Sequence, residues 1–230
     1  LTVSILGLLA MIGSAILVPS NLKQAKPTNL AAQVKVLTHP RLLLVYAITA
    51  IGYGGTFIAF TYLAPILNEV TGFESSSVGL ILLVYGVSVA VGNIWGGKMA
   101  DNFGPIKALT IIFSGLAGIL LVLNFTAYNP VAAVITILVW GAFAFGNVPG
   151  LQVYIVKLAE KYTPDAVDVA SGLNIAAFNV GIAIGAWGGG IIVKEHGLMN
   201  TPWVGAVVVL IALILTCFSG RLDRKAHVIN

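Results

Sequence analysis

The sequence predicts an all-α, polytopic membrane bundle, and three observations carry that prediction. Of its 230 residues, 58% are hydrophobic, and the mean hydropathy is +0.99. Charged residues make up 9%, against roughly 25% in an average soluble domain, so 12 basic and 8 acidic side chains cannot cover a soluble surface. The apolar runs approach or exceed the ~20 residues a helix needs to cross the hydrocarbon core. They lack the alternating stretches of about 10 residues that build a membrane barrel. A water-soluble globular domain is therefore excluded, and so is disorder, which requires low hydrophobicity.

The elements follow in chain order. Residues 1–18 are apolar from the start, with no basic segment before them, so they make a poor secretory signal and read as the end of one spanning helix. Residues 19–41 form a linker with Pro19, Pro27 and Pro40, expected on the cytoplasmic side. Within it, residues 31–37 suit a short surface helix. Six further spans are expected near 42–66, 76–97, 107–126, 130–157, 167–193 and 203–220, forming one transmembrane bundle over 42–222. Residues 223–230 are left as a cytoplasmic tail.

Charge gives the orientation. With the linker placed in the cytoplasm and the sides alternating, that side collects Lys23, Lys26, Lys35, Arg41, Lys98, Lys107, Lys157, Lys161, Arg221, Arg224 and Lys225, and the other side only Lys194. This is a strong positive-inside bias, and it places the C-terminus inside. Losing or merging one span would scramble it. Asp101, Glu160, Asp165, Asp168 and Asp223 fall at cytoplasmic ends, and Glu69, Glu74 and Glu195 at the opposite ends. No ionisable residue lies mid-span, where proton relays and ion paths usually have them.

The spans differ in polarity. At 100° per residue, Tyr46, Thr49, Tyr53, Thr56, Phe57 and Phe60 share a sector of about 100° on the span near 42–66. Such a stripe can line a polar cavity and stack on a planar solute, or it can make helix–helix contacts. The span near 130–157 holds Gly141, Gly146, Asn147, Pro149, Gly150 and Gln152, and Pro149 predicts a kink. Thr163-Pro164-Asp165 then supplies an N-cap, a first-turn proline and an early acid.

The span near 167–193 carries small residues on two faces. Gly172, Ala176, Asn179, Ala183, Ala186 and Gly190 form one, and Asn174, Gly181, Gly185 and Gly188 the other, so neighbours are expected on both sides and the helix is expected to be central. The spans near 107–126 and 203–220 are plain and are expected to face lipid. Two triplets result, 42–126 and 130–220, each with two inner helices and one outer helix, as in three-plus-three repeats.

Two motifs carry a family resemblance. Gly97, Asp101, Gly104 and Lys107 resemble the cytoplasmic loop motif of the major facilitator superfamily, with Pro105 and Ile106 where arginines are common. Gly181, Gly185, Gly189 and Gly190 resemble its glycine-rich antiporter motif, with Ala186 in place of proline. Thr61-Tyr62-Leu63-Ala64-Pro65, Pro149-Gly150-Leu151-Gln152, Ser171-Gly172-Leu173-Asn174 and Phe178-Asn179-Val180-Gly181 resemble the arabinose-efflux-permease type of drug:proton antiporter.

The resemblance covers nearly the whole chain. It implies the end of the sixth helix, the central loop and helices seven to twelve of a twelve-spanner in a bacterial inner membrane. It also implies a proton-coupled exporter of sugars, nucleosides or drug-like molecules working by alternating access. Its partners would be a small-molecule substrate, protons, the lipid bilayer and an N-terminal half lying outside this sequence, which would carry the protons. Candidates to contact substrate are Thr49, Tyr53, Phe57, Asn147, Gln152 and Asn174.

Other classes find less support. Ser171-Gly172 lacks the base that a serine nucleophile needs, because His39, His196 and His227 sit in loops or the tail. No enzyme activity, catalytic residue or nucleic-acid partner is expected. The single Cys217 permits no multi-cysteine metal site, and neither a metal nor a cofactor is expected. A seven-helix receptor or channel-like protein fits by count alone, without the mid-membrane Lys that retinal requires. A truncated, inactive half-transporter is the remaining alternative.

Overall fold

The computed structural model describes residues 2–17 and 30–225. The first part of the expected linker, with Lys23 and Lys26, and the tail at 226–230 lie outside the described residues. All described secondary structure is helical. The elements are α1 (Thr2–Leu17), α2 (Leu30–Thr38), α3 (Pro40–Phe60), α4 (Leu63–Pro65) with a π-helical turn (Ile66–Val70), α5 (Ser75–Phe103), α6 (Pro105–Thr126), α7 (Pro130–Tyr162), a 3₁₀ turn (Pro164–Ala166), α8 (Val167–His196) and α9 (Asn200–Lys225). Among the described residues, six segments are long and apolar enough to cross a membrane: Pro40–Val70, Ser75–Phe103, Pro105–Thr126, Pro130–Tyr162, Pro164–His196 and Asn200–Lys225.

Local chemistry sets the helix ends. Pro40, Pro105 and Pro130 each open a helix, where a missing N–H costs nothing. Asn129 caps α7 by accepting from the Ala132 amide at 3.0 Å. Gly104 turns α5 into α6 with φ +80°, a conformation that side chains with a Cβ resist. The sequence expectation fails at Thr163. Its hydroxyl donates back to the Ala159 carbonyl at 3.4 Å and caps nothing ahead of it. The 3₁₀ turn intervenes, and α8 starts only at Val167.

The two triplets interlock. The first helix of each, α3 or α7, packs on the second and third helices of the other: α3 on α8 and α9, α7 on α5 and α6. The third helices, α6 and α9, then meet each other. This exchange relates α3 to α7, α5 to α8 and α6 to α9 by an approximate two-fold.

Three readings are corrected by this arrangement. Within this chain the central helices are α3 and its counterpart α7, not α8, and residues all round α3 are buried. On α8 only the Asn174, Gly181 and Gly185 face is covered, extended by Gly189, while Gly172, Ala176, Asn179 and Ala183 are exposed. Within this chain the plain helices α6 and α9 are more covered than α5 and α8. Within their most apolar windows, 44% of α6 and 39% of α9 are buried, against 17% of α5 and 28% of α8.

Glycines set the tightest seams. A Cβ at Gly181 or Gly185 would overlap the carbonyl oxygen of Ala50 or Gly54 on α3, and one at Gly189 would lie 2.6 Å from the Ile58 oxygen. Both rows repeat every four residues, so the backbones run in contact for more than two turns. The counterpart seam joins α5 to α7, where Gly92 and Gly96 lie against the backbone of Ala142 and Gly146. Gly190 faces the Tyr62 hydroxyl, which donates to the Ala186 carbonyl at 3.3 Å. Gly188 has nothing within 4 Å of its Cβ position.

A candidate substrate-contact site and a buried ion pair

Polar groups inside the bundle fall at three levels along α3. In the middle, α3, α7 and α8 each supply one side chain. The Thr49 hydroxyl donates to Asn174 Oδ1 at 2.7 Å, and Asn174 Nδ2 donates to Gln152 Oε1 at 2.8 Å. Thr49 and Asn174 are fully buried, and Gln152 is half-buried. Gln152 Nε2 has no partner among the described residues, so the chain of hydrogen bonds ends in an open donor. Buried amides need such partners.

The next level is aromatic. The Tyr53 ring packs edge-on against Phe178 at 4.4 Å and Phe145 at 6.0 Å, and stacks on Phe57 at 6.0 Å. Phe57 leads to Phe60, which stacks on Tyr85 at 5.2 Å and meets Trp140 edge-on at 6.1 Å. The Tyr85 hydroxyl and Trp140 Nε1 are buried with no partner among the described residues. Of the six candidate contact residues, Thr49, Gln152 and Asn174 are joined in one network, and Tyr53 and Phe57 form the adjoining aromatic wall. Asn147 stands apart. It is fully buried, its Nδ2 donates to the Ala144 carbonyl of its own helix at 3.1 Å, and its Oδ1 has no partner among the described residues. Thr56, on the same stripe of α3, only bonds back to Gly52 at 3.2 Å.

The third level lies at the Pro40 end of α3 and holds a feature the sequence did not reveal. Arg41 forms an ion pair with Asp223, and the two side chains are 14% and 3% exposed. The Tyr154 hydroxyl donates to Asp223 Oδ2 at 2.7 Å and lies 2.6 Å from Ser219 Oγ. Arg41 also donates to Tyr154 at 3.2 Å and to the Ser219 carbonyl at 3.3 Å. This ties α3, α7 and α9 together. Asp223 belongs to this helix-end lock, not to a tail, because α9 continues to Lys225. Each of these charges read alone as a helix-end anchor. Only the fold brings residues 182 apart in sequence together.

The loop motif lies at the same end. Gly97 lets the Pro149 ring approach to 3.8 Å of its Cβ position. Asp101 is exposed and makes no ion pair among the described residues. The Lys107 ammonium rests 5.0 Å from the Phe103 ring centroid. Just outside the span, His39 stacks on Tyr162 at 4.5 Å. Burial, with Lys35 and Arg41 nearby, holds its pKa below the usual histidine value.

Comparison with known proteins decides the family. The model of the Major Facilitator Superfamily matches residues 1–163. The chain belongs to the major facilitator superfamily. It is 52% identical over 219 residues to the uncharacterized MFS-type transporter YtbD of Bacillus subtilis, covering 95% of this chain and 55% of that one. It is 33% identical to the inner membrane transport protein YdhP of Escherichia coli, covering 94% and 54%. A probable sugar efflux transporter of Haemophilus influenzae is 30% identical over 195 residues, covering 85% and 48%. The chain thus spans about half the length of the curated relatives it matches. Its fold resembles the crystal structure of the superfamily transporter FucP in the outward conformation, with TM-score 0.70 and 17% identity over 94% of this chain and 52% of that one.

Proposed function

We propose that this chain is the C-terminal half of a proton-coupled exporter of small, neutral, hydroxyl-bearing solutes. Sugars come first in that class, followed by nucleosides and drug-like molecules. The hydrogen-bonded set of Thr49, Asn174 and Gln152 carries the reading. Its open amide donor, with the Tyr53 ring one turn along α3 from Thr49, supports this reading, because hydroxylated solutes bind through such donors and aromatic faces. The name of the Haemophilus influenzae relative, a sugar efflux transporter, points the same way.

In this reading the linker end of α3 faces the cytoplasm, as the clustering of basic residues there favours. The open apolar faces of α5, with Leu83, Val87 and Val91, and of α8, with Val180, Ile184 and Trp187, are the sides that receive the other half. Proton-carrying groups belong to that half, because no ionisable residue lies mid-span here. By itself the chain holds one wall of the cavity and carries no flux.

The test is efflux by the product of the complete reading frame in inverted membrane vesicles. The expected result is release of lumenal protons when the transported sugar is added. Accumulation of sugar without proton movement would remove the coupling, and absence of any flux across a sugar and nucleoside panel would remove the substrate class.

A further inference from the structure

We propose that the cleft between the ends of α6, α7 and α9 binds the phosphate headgroup of an anionic phospholipid. The cleft is about 820 Å³ and lies beside the α5–α6 turn. Lys107, Lys157, Arg221 and Arg224 line it. All four are exposed, and none forms an ion pair among the described residues. Two carboxylates also line it, but Asp223 is taken by Arg41, so only Asp101 opposes the four cations. Unpaired cations of this density at a helix-end cleft suit a phosphate anion.

The floor is formed by the contact of α6 and α9, where a Cβ at Gly220 would lie 2.6 Å from Ile106 Cγ2. The wall then descends through Thr110 and Cys217 into the apolar parts of both helices. Exposed apolar side chains continue in the same direction. Ile111 lies one turn below Lys107 on α6, and Phe218 and Ile214 lie below Arg221 on one face of α9. A cationic cleft that runs into an exposed apolar strip matches a lipid, with its headgroup in the cleft and an acyl chain along the strip. A free phosphate would use only the upper part. The site is independent of what the bundle transports.

Binding of phosphatidylglycerol to the product of the complete reading frame, purified in detergent, is measured by native mass spectrometry with no transported solute present. Each Lys or Arg near an anionic surface contributes about fivefold in affinity, so the triple variant Lys107→Gln, Arg221→Gln, Arg224→Gln should lose affinity by about a hundredfold. Lys194→Gln, at the other end of the bundle, should leave it unchanged. The double variant Ile214→Ser, Phe218→Ser should weaken phosphatidylglycerol while leaving glycerol 3-phosphate binding as it was. Equal retention of phosphatidylglycerol by the wild type and the triple variant would overturn the site. Binding of inorganic phosphate as tightly as phosphatidylglycerol would overturn the lipid as its occupant.

Discussion

The two ends of α3 are held by opposite chemistries. At the Arg41 end, a buried ion pair and two hydroxyls close on one another, and three helices meet through directional bonds. At the Phe60 end, the same α3 and α7 meet α5 through stacked and edge-on rings, while the Tyr85 hydroxyl and Trp140 Nε1 go without partners. Arg41 Nη1 and His39 Nδ1 also lack partners among the described residues, so both ends tolerate orphaned polar atoms; the difference is that one end depends on charges that must stay paired and the other on shape. The difference teaches which atoms each end needs, and substitutions should separate the two sharply.

The largest effect is expected where a single charge is left alone. Arg41→Met strands Asp223 and should cost about 3 kcal/mol of stability. Adding Asp223→Leu should recover most of that, because removing both charges also removes their desolvation. Thermal unfolding in detergent distinguishes the two, and a double variant as unstable as the single one would break this account of the Arg41 end.

Next come the glycine seams. Gly185→Val drives a side chain into the α3 backbone and should cost roughly 1–3 kcal/mol. Gly188→Ala, with open space around it, should leave the unfolding temperature unchanged. A smaller contrast uses two tyrosines. Tyr154→Phe removes a hydroxyl bonded to Asp223 and Ser219 and should cost about 1–2 kcal/mol, whereas Tyr85→Phe removes an orphan and should be neutral or slightly stabilising. Equal losses in this pair would erase the distinction between the ends.

The smallest effect is on pH. The folded environment favours neutral His39, so its contribution is present above the unfolded value of about 6.5. It fades as pH falls through the lower folded value. The stack on Tyr162 should therefore loosen in mild acid, visible as a drop in unfolding temperature that His39→Gln abolishes.

Much of the interior was legible because polar residues are rare inside apolar helices. Asn174, Gln152 and Thr49 each stood out, and the stripe on α3 correctly placed Tyr53 and Phe57 near one another. Periodicity could define the two small-residue faces of α8 but not which one has a neighbour. That depends on the exchange of helices between triplets, which puts α3 and α7 at the centre. The Arg41–Asp223 lock was invisible for a different reason. Charges at helix ends are common, and nothing in the linear spacing pairs residues at opposite ends of the chain. Thr163 misled because its hydroxyl had a carbonyl within reach in the helix behind it.

The central claim is that the hydrogen-bonded set centred on Asn174 serves the transported solute, by holding the open Gln152 amide in place, as well as packing. The direct measurement is transport by the complete reading-frame product carrying Asn174→Leu, with Tyr85→Phe as the control and membrane expression quantified for both. The account predicts normal expression of both variants, transport lost or strongly weakened in Asn174→Leu, and unchanged transport in Tyr85→Phe. Unaltered transport kinetics in Asn174→Leu would show that the hydrogen-bonded set only holds the helices together.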